Sequence, residues 1–243
     1  LIASFEPEPS NVLEIQELKK SFDQPGGGRL NILDVAALRL DAGEQVVLIG
    51  ESGGGKTTLL HLIAGLLTPD SGSIRIAGTE ITRLSESGRD RFRAATTGYV
   101  FQTFNLLAGF TALENVRLGM SFAAGRHDIG RAESLLARVG LSDRAHYRPS
   151  QLSVGQQQRV AIARSLASRP KLLLADEPTA NVDPASGKAV IELIRESCRE
   201  DDVTLLLVTH SMELAGQFDR IERLEQINRV FGQTPVAAEA PAG

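Results

Sequence analysis

The chain has one cysteine, Cys198, among 243 residues. A disulfide framework is therefore excluded, and a reducing compartment fits. A lone thiol in a helical stretch reads as a packing residue, not a nucleophile. Basic residues are in slight deficit, 26 Lys and Arg against 30 Asp and Glu, giving a net charge of −4. The electrostatic footprint of a nucleic-acid binder is missing. Long apolar runs are missing too. The longest aliphatic ones, such as Leu205 to Val208, are far too short to span a bilayer, so a membrane role needs a partner. The opening residues, LIASFEPEPSN, carry neither a basic segment nor a long apolar run, and no secretory signal is expected. No His/Cys cluster has metal-ligand spacing. What remains is an ordinary globular composition, 42% hydrophobic and 23% charged, in a chain long enough for one large or two small domains.

Short apolar runs alternate with helical patterns. Val46 to Ile49 is wholly apolar and ends at a glycine, as a buried parallel strand does. Thr57 to Leu67 follows as a buried helix. Ser73 to Ile81 reads as a strand pair at an edge. Thr97 to Phe101, Leu172 to Ala175 and Thr204 to Val208 read as further core strands, with helices at Pro184–Cys198 and Met212–Phe218. This alternation predicts a parallel α/β sheet. Residues 105–168 differ, with three helical patterns and no convincing strand, and read as a helical insert. The ends, 1–11 and 231–243, are expected to be loose tails.

GESGGGKT, Gly50 to Thr57, matches G-x-x-x-x-G-K-[ST] between a strand and a helix, the setting that gives the motif meaning. Backbone amides of such a loop curl around phosphate oxygens, and the helix N-terminus adds favourable partial charge. Lys56 reaches the outer phosphates, and the Thr57 hydroxyl can ligate Mg²⁺. Asp176 and Glu177 end a core strand, where ligands bind in open α/β sheets. Two adjacent carboxylates can divide the work: Asp176 in the Mg²⁺ shell, Glu177 orienting or deprotonating the attacking water. A helix N-cap pair is the structural alternative. His210 closes another strand and could bond the γ-phosphate. His127 and His146 lack such a setting, and His61, in the buried helix, reads as a satisfied core residue. No metal besides Mg²⁺ with nucleotide is expected.

QLSVGQQQRVAIARSLA, Gln151 to Ala167, is the most specific stretch. It places a Ser-x-Gly-Gln turn before a basic amphipathic helix, just ahead of KLLLADEPTANVD, Lys171 to Asp183. Together with the phosphate loop, these motifs resemble the ATP-binding-cassette (ABC) ATPase family over residues 12–230. GESGGGKT (Gly50, Glu51, Ser52, Gly53, Gly54, Gly55, Lys56, Thr57, then Thr58) is similar to the Walker A loop, and LLLADE to Walker B. Gln102 resembles the Q-loop glutamine, a contact to Mg²⁺. LSVGQ, with Ser153, Gly155 and Gln156, resembles the signature; Asn181 to Asp183 resembles the D-loop and His210 the H-loop. Phe22 falls where the family stacks an aromatic on adenine, with an ordinary strand-end core residue as the structural alternative.

The resemblance implies a P-loop α/β fold with a RecA-like parallel core, an antiparallel β edge and a helical subdomain at about 105–168. It implies ATP hydrolysis by a head-to-tail homodimer, each ATP held between one chain's Walker A and the other's signature. It further implies membrane permease subunits docked near the Q-loop, with Leu106 to Leu118 lining the groove. The cassette would be cytoplasmic, on the inner face of the membrane. The motifs are most similar to the lipoprotein-release and macrolide-export branch. A cassette that regulates a membrane partner without transport needs the same parts and stays open as an alternative. A soluble DNA-repair or translation ATPase is disfavoured by the absence of a heptad insert, a second cassette and a basic surface. Three positions depart from the pattern: Val154 for the first signature glycine, Thr57-Thr58 for Ser-Thr, and Gln226 at a late turn where glycine is usual.

Overall fold

A computed structural model describes residues 11–121, 128–182 and 184–232. His127 and Asp183 lie outside the described residues, as do most of the expected tails. Asn11 itself opens the first strand, and Phe231 lies in a short 3-10 helix, Arg229–Gly232.

Two sheets organise the chain. The first is antiparallel, in the order β2-β1-β4-β5, from β1 (Asn11–Asp23), β2 (Arg29–Asp41), β4 (Ser71–Ile76) and β5 (Thr79–Glu80). The second is parallel, in the order β6-β7-β8-β3-β9, from β3 (Gln45–Ile49), β6 (Thr97–Val100), β7 (Leu172–Asp176), β8 (Thr204–Thr209) and β9 (Arg220–Arg223). Its central strands carry apolar side chains on both faces, and these divide by parity. Val47, Ile49, Leu173, Ala175, Leu205 and Leu207 pack on one side against α3 (Ala112–Ser121), α4 (Ile129–Arg138), α5 (Val154–Leu166) and α6 (Pro184–Glu200). Val46, Leu48, Leu172, Leu174, Leu206 and Val208 pack on the other against α1 (Lys56–Ile63) and the antiparallel sheet. A strand buried on both faces must read as a continuous apolar run, which is why these strands stood out in the sequence.

The helices α3, α4 and α5 lie in sequence between β6 and β7, with no strand among the described residues there. Arg131 and Arg138 of α4 both reach Asp201, just past the end of α6, and tie this helical layer to the α/β core. Several boundaries differ from expectation. Helix α1 stops at Ile63 because Gly65 takes a left-handed φ of 68°. The edge pair turns at Ala77-Gly78, and α7 is only Met212–Ala215. Helix α2 (Glu86–Thr96) was not anticipated; it buries no side chain, so no apolar stripe announces it. Gln226 lies inside a short helix, α8 (Leu224–Ile227), not at a turn, so the missing glycine has no turn to serve. Cys198 is fully buried, and burial pushes its thiol up to about 12, which fits a packing role.

One core residue is out of place chemically. Gln158 of α5 is 0% exposed, yet neither amide atom has a hydrogen-bond partner among the described residues. Burying such a group costs about 1–3 kcal/mol. Gln158→Met, of similar shape, is therefore expected to raise the thermal midpoint by about 3 °C. A lower midpoint by calorimetry would mean that the amide is satisfied.

Candidate functional site

The loop from Gly50 to Gly55 joins the carboxyl end of β3 to the first turn of α1. The N-cap of α1 is Gly55 with φ 97°, and a Cβ there would come 2.8 Å from Ile32 Cγ2. Both the backbone angle and the close approach of β2 exclude a side chain. A cleft of about 390 Å³ opens above the loop. It is lined by Phe22, Ile32, Ser52, Gly53, Gly55, Lys56, Thr57, Thr58, Gln102, Glu177 and His210. Ten of the residues singled out from sequence thus meet in one concavity, from five separate parts of the chain.

Each polar group is held in a definite way. Lys56 is only 8% exposed, and its Nζ donates to the carbonyl oxygens of Gly50 and Glu51, each at 2.7 Å. Thr57 Oγ1 donates to Asp176 Oδ1 at 3.3 Å. Asp176 ends β7 and is buried; burial pushes its carboxyl above the usual carboxylate range, partly offset by the Thr57 hydrogen bond. Glu177 follows with a left-handed φ of 44°, a costly conformation for a residue with a Cβ. The helix N-cap alternative for this pair fails, since no helix starts there. Glu177 Oε1 lies 2.9 Å from His210 Nδ1, while its buried Oε2 has no partner among the described residues. Gln102 accepts a hydrogen bond at its backbone carbonyl from Asn181 Nδ2, 2.7 Å away. Phe22 is 40% exposed, not a core residue; it lines the cleft, with Lys20 Nζ over its ring 5.2 Å from the centroid.

Gly50, Glu51 and Gly54 belong to the loop but do not line the cleft, and Asp176 sits beneath it. His61 also departs from expectation. It is half-buried, not a core residue, with its ring 6.0 Å from that of Tyr99.

Ser153, Gly155 and Gln156 are not brought to the cleft. They form the start of α5, and their spacing has a local cause. Ser153 Oγ accepts from Gln156 N–H at 3.3 Å while Gln156 Oε1 accepts from Ser153 N–H at 2.9 Å, a reciprocal capping box. The amides of Val154 and Gly155 belong to the first turn and have no acceptor within the helix. Val154 is 48% exposed, and a Cβ on Gly155 would meet nothing within 4 Å. Nothing among the described residues requires glycine at 155. At the other end of α5, Arg164 donates to the carbonyls of Phe104 (2.7 Å) and Asn105 (2.5 Å), linking this helix to the segment after Gln102. A groove of about 570 Å³ runs alongside, lined by Leu66, Tyr99, Phe101, Asn105, Leu118 and Arg164 among others.

Among the described residues no cluster of His, Cys, Asp and Glu could by itself hold a metal ion. Thr57 and Asp176 do present two hard oxygen donors side by side, the kind of set that suits Mg²⁺ when phosphate oxygens complete the shell.

A glycine loop between a parallel strand and a helix, a buried lysine, and a carboxylate–histidine pair at the neighbouring strand ends define a P-loop nucleoside triphosphatase. Residues 33–180 match the family model described as ABC transporter. The chain belongs to that family and is an ATP-hydrolysing cassette. It is 44% identical over 216 residues to a lipoprotein-releasing system ATP-binding protein, LolD 2, of Caulobacter vibrioides, covering 88% of this chain and 94% of that one. Similarity to the LolD protein of Cereibacter sphaeroides is 43% over 219 residues, covering 89% and 97%. Among solved structures, the ATP-binding cassette MJ0796, a dimer in a post-hydrolysis state bound to ADP and Pi, superposes with a TM-score of 0.79 at 34% identity, covering 87% of this chain and 93% of that one.

Proposed function

We propose that this cassette is the ATPase subunit of a lipoprotein-release-type exporter and works as a head-to-tail homodimer with ATP at the interface. The observation that carries the dimer is the separation of two anion-binding elements. The cleft holds Lys56 and the Glu177–His210 pair, whereas the free first-turn amides of α5 lie outside it, at an exposed turn. A second copy is the natural source of an ATP for that turn, and an ATP so shared acts as the glue of the closed state.

Within this reading Phe22 stacks on the adenine and the loop amides with Lys56 hold the phosphates. Mg²⁺, bound by Thr57, Asp176 and Gln102, would neutralise the charge that develops on the phosphates. Glu177 orients the attacking water and takes its proton, and His210 fixes the carboxylate and reaches towards the γ-phosphate. Ser153, Gly155 and Gln156 form the partner-facing turn. Residues 105–168, where described, form a helical subdomain that Arg164 ties to the segment after Gln102. The permease docks in the adjoining groove, which would hold the cassette at the inner face of the membrane. No helix among the described residues is long and apolar enough to cross a membrane itself. Co-purification from membranes, followed by mass spectrometry, tests the exporter reading. A permease with a large extracytoplasmic domain is expected; recovery without any membrane subunit overturns it.

Val154 does not disable the signature in this reading. It keeps the backbone amide, begins α5 with ordinary helical geometry, and adds only two exposed methyl groups. Val154→Gly is expected to change the ATPase rate by no more than about threefold. A rise on the order of a hundredfold, ~3 kcal/mol of barrier, would mean that this side chain holds the cassette inactive.

A further inference from the structure

The phosphate-binding loop leans on the far end of the chain. Glu225 of α8 reaches back across 174 positions of sequence, and its Oε1 accepts from the Glu51 N–H at 2.8 Å. That N–H belongs to the same peptide group as the Gly50 carbonyl, which accepts from Lys56 Nζ at 2.7 Å. One peptide unit is thus held between a carboxylate at its N–H end and an ammonium at its C=O end. Each charge polarises the peptide in the direction that strengthens the other bond.

The loop glycines record the same approach. A Cβ on Gly50 would come 2.9 Å from Glu225 Oε1 and 3.1 Å from Leu224 Cβ, and one on Gly54 would come 3.1 Å from Phe231 Cζ. A Cβ on Gly53 would meet nothing within 4 Å. Gly50 and Gly54 are therefore bare where the C-terminal segment approaches; at Gly54 the Glu51 carbonyl oxygen is as close, at 3.2 Å. The segment is also anchored between its two points of contact. Asn228 is 1% exposed, its Oδ1 accepts from Asp34 N–H at 2.8 Å, and its Nδ2 donates to Ile32 O at 2.9 Å. Both partners lie on β2, the strand that packs Ile32 against Gly55.

We propose that Glu225 is a positioning residue for ATP binding: it sets the Gly50–Glu51 peptide that holds Lys56, and Asn228 and Phe231 fix the strap that carries it. This rests on the reading of the loop as the phosphate site. The alternative is that Glu225 is only a negative charge near the phosphates, and the two differ in sign. Losing a mere like charge tightens ATP. Losing the acceptor frees the peptide and weakens ATP.

Calorimetric titration of the full chain with ATP and with ADP separates them. Glu225→Ala is expected to weaken both nucleotides about fivefold and to raise KM for ATP to match, with kcat within about twofold. Glu225→Gln keeps an acceptor oxygen without the charge and is expected to return affinity to within about twofold of the original. Hydrogen exchange at the Glu51 amide, read on folded protein, should accelerate in the alanine variant and not in the glutamine one, whatever happens to the melting temperature. Tightening in both variants, or unchanged affinity and exchange in Glu225→Ala, overturns the proposal. Lys56→Ala serves as the control: if it too binds nucleotide normally, the phosphate-site reading has failed instead.

Discussion

Glu177→Gln is expected to bind ATP within about twofold of the original chain and to hydrolyse it about a thousandfold more slowly. The substitution is nearly isosteric. Its amide can keep the 2.9 Å contact with His210 Nδ1 through either atom, so the cleft should hold its shape. What disappears is the basicity of Oε2, the buried oxygen that no group among the described residues uses. General-base catalysis is worth about two to four orders of magnitude, and the loss should fall in that range. The effect should lie in kcat, since a group acting only in the transition state leaves ground-state binding alone. Single-turnover hydrolysis measures the step directly. A Glu177→Gln chain that turns over at more than about a tenth of the original rate would place the base elsewhere.

Lys56→Ala is expected to lose ATP affinity by about thirtyfold or more, roughly 2 kcal/mol, the scale of a hydrogen bond between charged groups. The resting geometry explains why the loss is large. Lys56 is nearly buried, and it spends its protons on the carbonyls of Gly50 and Glu51 until phosphate arrives. Its removal deletes the charge that phosphate meets and also unties both loop carbonyls. ADP should weaken less, since the γ-phosphate contact is already missing. Calorimetry with both nucleotides reads the difference, and unchanged ATP affinity contradicts the phosphate-site reading.

Much of this site could be read in the sequence, for reasons specific to its residues. The cleft is assembled at the ends of β3, β7 and β8, and strands buried on both faces show themselves as apolar runs. Asp176 and His210 could be placed because polarity begins abruptly where those runs stop. The long antiparallel pair β1 and β2 was harder. In β1 the buried apolar residues are Leu13, Ile15 and then Leu18, because Glu17 takes a φ of 45° and breaks the alternation. The pairing of β1 with β4 shifts register at the same place, between Gln16 and Lys19. A period-two pattern cannot be followed through such a bulge. The roles of two loop glycines were also hidden. The obstacles to a side chain at Gly50 and Gly54 include Glu225, Leu224 and Phe231, besides the loop's own Glu51 carbonyl. Such long-range contacts leave no local pattern. The signature was legible as a motif, but its Ser153 and Gln156 turn out to serve each other.

Light scattering of Glu177→Gln tests the shared-ATP claim most directly. One chain has a mass of 26.1 kDa. With ATP and Mg²⁺ the variant is expected to run at twice that mass, and with ADP at the single mass. Adding Gly155→Asp, which puts a carboxylate at the exposed first turn of α5, should abolish the doubling while leaving ATP bound. A variant that stays at 26.1 kDa with ATP bound, or a doubling that survives Gly155→Asp, would contradict the account.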